Sequence, residues 1–243
     1  MSTQEPETTV PVNPFTRFRD IIPGERLASL SFTIVGAGGL GAPCALALAK
    51  MGVKQMDIWD PDVINEENMG PQMYGRRQLG QFKVDALKNF LRGQAEWCKV
   101  TVHKDLYTEE SSNTSDVVIV ALDSLRARKG VWSTIDPDVC QLYIDPRMGA
   151  EVLNVISVVP KEDSDWYPET LEGDPVVAKC TEKSTFHCGL IGGAMAAREV
   201  KAWLVGERTL VDYSVCLRLL SILGDDQTTR KKRYAAGLAE AAE

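Results

Sequence analysis

The clearest structural pattern in the chain lies at residues 31–51, SFTIVGAGGLGAPCALALAKM. Its apolar start predicts a buried strand, and its Ala and Leu residues recur at helical spacing from Gly39 to Met51. The turn between them, Gly36-Ala-Gly38-Gly39-Leu-Gly41, fits G-x-G-x-x-G in the strand–turn–helix context that gives this pattern its meaning. Such a turn brings backbone close to a phosphate at a helix N-terminus. We therefore predict a phosphate-binding turn, with a tight turn that binds nothing as the alternative.

Strand and helix patterns alternate along the rest of the chain. The predicted strands lie at 55–60, 100–103, 116–122, 140–145, 152–160 and within 210–222, and the predicted helices at 81–94, 125–135 and 189–204. This alternation predicts an α/β fold, a Rossmann-like doubly wound and mainly parallel sheet with C-terminal antiparallel strands.

Composition divides the chain into three parts. Residues 1–13 are polar and acidic and are expected to form a flexible arm, and residues 225–243 form a charged tail. Residues 14–224 form the expected domain, in which a polar connection lies at about 161–188. The predicted tail is a surface helix or is frayed.

Charge and cysteine usage limit the possible partners. Lys and Arg number 27 and Asp and Glu number 34, which gives a net charge of −7 and argues against nucleic acid or an anionic membrane as the main partner. No secretory signal or long apolar run is visible, so we expect a cytoplasmic protein. Six scattered cysteines without a C-x-x-C pair do not suggest zinc, and four have apolar neighbours typical of buried thiols.

An acidic residue follows the glycine turn at the distance expected for nucleotide binding. Asp60 lies 19 residues after Gly41, at the end of the second predicted strand. An acid at that place accepts hydrogen bonds from ribose hydroxyls. Both NAD and ATP carry a ribose, so a nicotinamide dehydrogenase stays an alternative at this point.

The residues after Asp60 separate the two nucleotides. The ordered set comprises Asp60, Asp62, Asn68, Gln72, Gly80, Lys83 and Asp123. Together with the four glycines, it resembles the ubiquitin-activating-enzyme-like adenylyltransferases, the ThiF/MoeB/HesA group, over roughly residues 15–205. The match is to a divergent branch of bacterial or phage type.

The resemblance implies an enzyme that joins a carboxylate to the α-phosphate of ATP and releases pyrophosphate. Lys83 would then neutralise phosphate charge, Asp123 would hold Mg²⁺, and Asn68 would contact phosphate or ribose. Taken singly, Lys83 could instead be a solvated helix lysine and Asp123 a helix N-cap. The ATP site implied by the family consists of Gly36, Gly38, Gly39, Gly41, Asp60, Asp62, Asn68, Gln72, Lys83 and Arg128.

One position departs from the family pattern. Pro71 stands where the family has an arginine that contacts ATP phosphates, and Arg76 or Arg77 is a possible substitute. The Arg17-Phe-Arg19 stretch loosely resembles an N-terminal arm whose arginine reaches the neighbouring subunit in relatives. The resemblance therefore implies a homodimer.

A cysteine in the polar connection is the expected acyl acceptor. Cys180 occupies the place of the family's thioester-forming residue, and nearby Lys183 and His187 would favour its thiolate. A loop thiol without a role is the alternative. Cys188 begins an apolar, small-residue helix and is expected to be packed. Asp145-Pro-Arg147 resembles a motif of the branches that carry this cysteine.

The sequence thus predicts an ATP-dependent and magnesium-dependent adenylyltransferase. Its catalytic residues would be Cys180, Lys83 and Asp123, and its substrate the C-terminal carboxylate of a ubiquitin-like protein, a sulfur carrier or a peptide. One alternative is an enzyme that adenylates a small molecule or a sulfur carrier without forming a thioester. The other is a non-catalytic scaffold subunit of an activating heterodimer, which the proline at position 71 favours.

Overall fold

The chain forms one mixed sheet of eight strands in the order β3-β2-β1-β4-β5-β6-β7-β8. The computed structural model describes residues 13–111, 115–172 and 184–240. The strands are β1 Phe32–Val35, β2 Gln55–Trp59, β3 Lys99–His103, β4 Val117–Val120, β5 Leu142–Gly149, β6 Val152–Val158, β7 Asp212–Cys216 and β8 Ser221–Asp225. The α-helices are α1 Gly24–Ser29, α2 Gly41–Met51, α3 Lys83–Gln94, α4 Leu125–Trp132, α5 Pro160–Asp163, α6 Phe186–Leu204 and α7 Gln227–Glu240.

The sheet changes direction at β5. Strands β1 to β5 run parallel, and β6, β7 and β8 then add to the edge as antiparallel neighbours. Both faces of the parallel half are covered, so β1 and β4 are buried at every residue and read as continuous apolar runs. The predicted Rossmann-like fold with C-terminal antiparallel strands is confirmed.

Two apolar cores lie on opposite faces of the sheet. The larger one contains α2, α3 and α6, and the small residues of α6 let that helix pack closely against α2. The smaller one is built around three large aromatic side chains, Tyr143, Trp166 and Tyr167. Because β1 runs parallel to β2 and β4, the carboxyl ends of these three strands lie at the same edge of the sheet, and the glycine turn follows β1 at that edge.

The C-terminal region differs in detail from the predictions. The single β pattern at 210–222 is two strands, because residues 217–220 form a turn between β7 and β8. Leu220 has a φ of +52° and is 87% exposed in that turn, which contains no glycine or proline to signal it. Helix α7 lies within the predicted tail, and α6 begins at Phe186, three residues before its predicted start.

Helices in the described ranges are too short or too polar to cross a bilayer.

Candidate nucleotide site

The first and last glycines of the turn are required by the fold. Gly36 has a φ of +102°, and a Cβ there would overlap the carbonyl oxygen of Ala121 at the end of β4. A Cβ on Gly41 would overlap the carbonyl oxygen of Gly36. These two residues therefore set the turn and hold it against the β4 end, whatever binds there.

The two middle glycines leave space that the protein does not fill. A Cβ on Gly38 would lie 3.9 Å from Gln72 Nε2, within ordinary van der Waals distance. A Cβ on Gly39 would meet Met148 Cε and the carbonyl oxygen of Pro71, each at 3.5 Å. Packing does not demand glycine at these two positions, so the open backbone fits the approach of a phosphate.

Asp60 holds the turn from the neighbouring strand. One carboxylate oxygen accepts a hydrogen bond of 2.7 Å from the Ala37 amide, and the other accepts one of 2.8 Å from the Asp62 amide. The side chain is buried, and that burial raises the pKa of Asp60 above its ordinary value of 3.8. Each carboxylate oxygen can accept more than one hydrogen bond, so the predicted ribose contact is compatible with this position.

Tyr74 joins the glycine turn to the start of α3, and the sequence did not single it out. Its buried hydroxyl lies 2.5 Å from the Ala37 carbonyl oxygen and 3.3 Å from the Lys83 carbonyl oxygen. Burial raises the pKa of Tyr74 above its ordinary value. The only sequence signal was an aromatic residue within a long irregular loop.

Lys83 is a buried cation at the first residue of α3. Its side chain is 8% exposed, and Nζ donates a 2.7 Å hydrogen bond to Asp62, whose own side chain is 62% exposed. The solvated-lysine alternative is therefore wrong. The pair lines a cleft of about 430 Å³, together with Pro61, Val63, Asn65, Glu67 and Asn68.

Asn68 and Gln72 lie in the irregular loop beside this cleft and the turn. Asn68 Oδ1 accepts a 2.9 Å hydrogen bond from the backbone amide of Asn65. Asn68 also lines the cleft, and its side-chain NH₂ group is not used by this bond. Gln72 places Nε2 near Gly38, while its Oε1 is buried without a hydrogen-bond partner in the described structure. A buried acceptor without a donor is costly, so this atom suits a ligand that carries a donor.

Asp123 follows the end of β4, close to the glycine turn. Its side chain is exposed, and no partner for it lies among the described residues. The alternative role of N-cap falls to the next residue, since Ser124 Oγ accepts a hydrogen bond from the Ala127 amide at 3.3 Å. A free carboxylate is the kind of ligand that Mg²⁺ takes, so Asp123 fits the predicted metal role.

Arg128 lies in the interior behind this edge. Its guanidinium contacts the buried carboxylate of Asp145 and three backbone carbonyls, those of Val120, Leu122 and Pro146. The side chain is 4% exposed and its described contacts are all to protein, so a direct ATP contact stays a prediction. The family resemblance implied an arginine near the site at this position but could not give the direction of its side chain.

The substitutes for the missing family arginine lie on the surface. Arg76 and Arg77 belong to a short 3-10 helix, Arg76–Gln78, and both are exposed. Pro71 itself presents its carbonyl oxygen toward Gly39. Neither arginine makes a described contact with the cleft, and their substitution for the family arginine stays a prediction.

The two cysteines of the polar connection have different outcomes. Cys180 lies outside the described residues, as does Lys183. Cys188 is fully buried at the start of α6, and burial raises its pKa to about 11, so the prediction of a packed thiol is confirmed. Among the cysteines that the structure describes, Cys44, Cys98, Cys140 and Cys188 are buried and Cys216 is partly exposed.

Groups of three or more potential metal ligands are absent from the part of the chain that the structure describes. Asp123 would supply a magnesium ion with one carboxylate ligand, and the phosphate oxygens of a bound nucleotide and water would supply others. Mg²⁺ is commonly held in this way, by one or two carboxylates and the phosphates of a substrate.

The sequence signature of the ThiF family matches residues 19–212. The chain belongs to the ThiF family. The match spans the glycine turn, the cleft, β5 and β6, and it ends at the first residue of β7. It confirms the resemblance on which the sequence-based predictions were built.

Individual relatives in this family are partial matches. An adenylyltransferase and sulfurtransferase MOCS3-2 of Zea mays is 30% identical over 213 residues, which are 82% of this chain and 42% of the relative. The catalytic subunit of the NEDD8-activating enzyme E1 of Dictyostelium discoideum is 30% identical over 102 residues, 40% of this chain and 23% of the relative. The chain thus spans less than half the length of these relatives.

Solved structures share the fold at low sequence identity. A complex of E. coli MccB with ATP has a TM-score of 0.67 at 15% identity, covering 88% of this chain and 71% of MccB. PaaA has a TM-score of 0.71 at 18% identity, covering 92% of this chain and 77% of PaaA. These likenesses support the architecture that places the glycine turn at the carboxyl edge of the sheet.

Proposed function

We propose that this ThiF-family chain is an ATP-dependent adenylyltransferase. The observation that carries the proposal is the Tyr74 hydroxyl, which contacts both the Ala37 carbonyl and the Lys83 carbonyl. This contact ties the backbone of Lys83, whose ammonium is buried beside Asp62, to a turn whose middle glycines leave room for phosphate. A cation beside a phosphate-binding turn is the arrangement that phosphoryl chemistry requires.

In the proposed reaction, a carboxylate oxygen of the substrate attacks the α-phosphorus of ATP. The new bond joins that oxygen to phosphorus, and the bond to the leaving pyrophosphate breaks, which gives an acyl adenylate. Lys83 offsets the negative charge of the phosphates, and Asp62 orients its ammonium from the solvent side. Asp60 keeps the turn in place and accepts from the ribose, and Gln72 Oε1 accepts from a nucleotide donor.

Asp123 is the residue that would hold Mg²⁺. When bound with ATP, the ion would supply charge neutralisation on the phosphate oxygens. The dehydrogenase alternative is less favoured, because hydride transfer gives no role to a buried lysine, an amide and a free carboxylate around one turn.

The names of relatives guide the choice of substrate. Relatives include a NEDD8-activating enzyme subunit and enzymes named adenylyltransferase and sulfurtransferase, and MccB has been solved with MccA. We infer that the substrate carboxylate belongs to a ubiquitin-like protein, a sulfur carrier or a peptide. The N-terminal Arg17 and Arg19 and the family resemblance favour a homodimer as the active form.

Thioester transfer through Cys180 is the proposed second step. The thiolate would attack the acyl carbonyl, and AMP would leave. Cys180→Ala should then still form the adenylate but lose the covalent complex on a non-reducing gel, whereas Cys188→Ala, the matched control, should keep it. A covalent band that survives Cys180→Ala would overturn the assignment, and wild type with pyrophosphate exchange but no band would favour adenylation without a thioester.

A scaffold subunit is the second candidate, and Pro71 is the observation that favours it. The proline removes a family arginine, and Arg76 and Arg77 are both exposed. ATP–pyrophosphate exchange, measured with candidate carboxylate partners, separates the two candidates. Exchange supports the enzyme; binding of a ThiF-family partner that itself performs all the exchange supports the scaffold.

A further inference from the structure

A second group of charges lies behind the nucleotide edge of the sheet. The carboxylate of Asp145, on β5, is fully buried between two arginines, Arg128 from α4 and Arg147 from β5. Tyr167 is the third side chain that donates to this carboxylate, through its hydroxyl at 2.8 Å. Buried charges persist only when their hydrogen-bonding groups are satisfied, so the direction of each arginine is informative.

Arg128 uses its remaining donors to hold the end of β4. One terminal nitrogen donates to the Val120 carbonyl at 2.6 Å, and the other donates to the Leu122 carbonyl and, at 3.1 Å, to the Pro146 carbonyl. The two β4-end carbonyls flank Ala121, the residue packed against Gly36. Asp123 directly follows Leu122. Arg128 therefore fixes the backbone that sets the direction of the Asp123 side chain.

Arg147 binds the same carboxylate but points elsewhere. It donates to Asp145 Oδ2 at 2.7 Å and 3.0 Å, and its other donors reach Thr170 at 2.8 Å and 3.0 Å. None of its described contacts involves the end of β4. The two arginines therefore bind the same Asp145 carboxylate but differ in their other contacts. Arg128 binds the end of β4, and Arg147 binds Thr170.

We propose that Arg128 is a positioning residue for magnesium binding, acting through the β4 end on Asp123. The inference rests on the proposed function, since it assumes that Mg²⁺-ATP binds at this edge. A guanidinium can donate to Asp145 and to both carbonyls at once, whereas a lysine ammonium is a single point on a flexible stem. Substituting lysine keeps the charge and loosens the direction of Asp123.

Calorimetric titration of ATP into the full-length protein, with and without Mg²⁺, tests this proposal. Mg²⁺ should tighten ATP binding to wild type. In Arg128→Lys, the ratio of the Kd for ATP without Mg²⁺ to the Kd with Mg²⁺ should be about tenfold smaller than in wild type. About tenfold is the low end of the loss of metal affinity seen when residues that hydrogen-bond to metal ligands are changed. ATP binding without Mg²⁺ should change less than about twofold, because only the metal ligand is displaced. Arg147→Lys, the control, should keep the full effect of Mg²⁺.

Coupling to the metal ligand gives a second readout. Asp123→Ala should remove most of the Mg²⁺ effect, and adding Arg128→Lys to it should cost nothing further, because both changes act on one ligand. If Arg128→Lys does not fold, Arg128→Met removes every donor to the end of β4 while Asp145 keeps its pairing with Arg147, and the same loss of the Mg²⁺ effect is expected.

Three results would overturn the proposal. Equal weakening of ATP with and without Mg²⁺ in Arg128→Lys would mean a direct nucleotide contact or a general structural role. An equal loss of the Mg²⁺ effect in Arg147→Lys would mean that the whole Asp145 group matters rather than the β4 end. Failure of wild type itself to bind ATP would be a failure of the proposed function, and the positioning role would fall with it.

Discussion

The carboxylate of Asp60 accepts a 2.7 Å hydrogen bond from the backbone amide of Ala37, which ties the glycine turn to the end of the neighbouring strand β2. Its other oxygen binds the Asp62 amide at 2.8 Å. One buried side chain thus orients both the turn and the segment that carries the partner of Lys83. The geometry of the site therefore depends on the side chain of Asp60, which is itself buried.

We predict that Asp60→Asn weakens both the fold and the nucleotide site. An asparagine has one acceptor oxygen in place of two, so one of the two backbone amides loses its partner. The loss should lower the free energy of unfolding by about 1–3 kcal/mol, the cost of a buried unsatisfied group. Urea denaturation measures this loss. Asp57→Asn, on the same strand but only half-buried, is the control, and an equal effect there would contradict the assignment.

Lys83→Met should weaken ATP binding strongly while leaving the fold intact. The change removes the buried ammonium but keeps an apolar stem of similar length in the same place. Loss of one preorganised electrostatic group costs on the order of 100-fold in rate, so pyrophosphate exchange should fall by at least that factor. Lys88→Met, on the exposed face of the same helix, should behave as wild type. Similar rates of pyrophosphate exchange in Lys83→Met and Lys88→Met would contradict a role for Lys83 in the ATP site.

Asp123→Ala should depress adenylate formation by about 100-fold or more without changing thermal stability. The side chain is exposed and has no described partner, so the fold loses nothing with it. Ser124→Ala is the informative neighbour, because it removes the N-cap of α4 and should cost about 1 kcal/mol of stability. Destabilisation by Asp123→Ala, with near-normal exchange, would contradict the metal role.

Stability should fall in alkaline solution, because the buried thiols stay protonated in the folded state at a pH where the same thiols ionise in the unfolded state. Burial raises the pKa of Cys98 and Cys188 to about 11 and that of Cys44 and Cys140 to about 12, from the usual 9.0. The folded state then holds more protons than the unfolded state above pH 9, so stability declines from there through pH 11 to 12.

Thiol labelling checks the same prediction at neutral pH. At pH 8 a thiol of pKa 11 is ionised in about one molecule in a thousand, so the buried thiols should resist alkylation until the protein unfolds. Mass spectrometry after brief alkylation locates the label. Cys216, which is partly exposed, should react first among the described cysteines. Fast labelling of Cys188 in the folded protein would contradict its packed position.

The sequence predicted the parallel half of the sheet and the glycine turn because both depend on local patterns. Apolar runs mark β1 and β4, and the spacing of glycines marks the turn. Lys83 and Asp123 were found because their order along the chain matched a family. Local pattern could not show that Lys83 is buried or that Ser124, rather than Asp123, caps α4.

Contacts between distant residues were beyond local pattern. The Tyr74 hydroxyl meets Ala37 across 37 positions, and Arg128 meets Asp145 across 17. The turn between β7 and β8 escaped detection for another reason, since its exposed leucines look like the strands on either side. Packing between elements, rather than propensity within them, decided these features.

The glycine turn should bind ATP with magnesium, and thermal unfolding in the presence of added nucleotide measures this binding. Ligand at 100 times its Kd should stabilise the protein by about 2.7 kcal/mol. Mg²⁺-ATP should raise the Tm of wild type and NAD should not. Gly38→Ala should fold normally, because its Cβ has room, and lose most of that rise. Stabilisation by NAD but not by Mg²⁺-ATP would contradict the account.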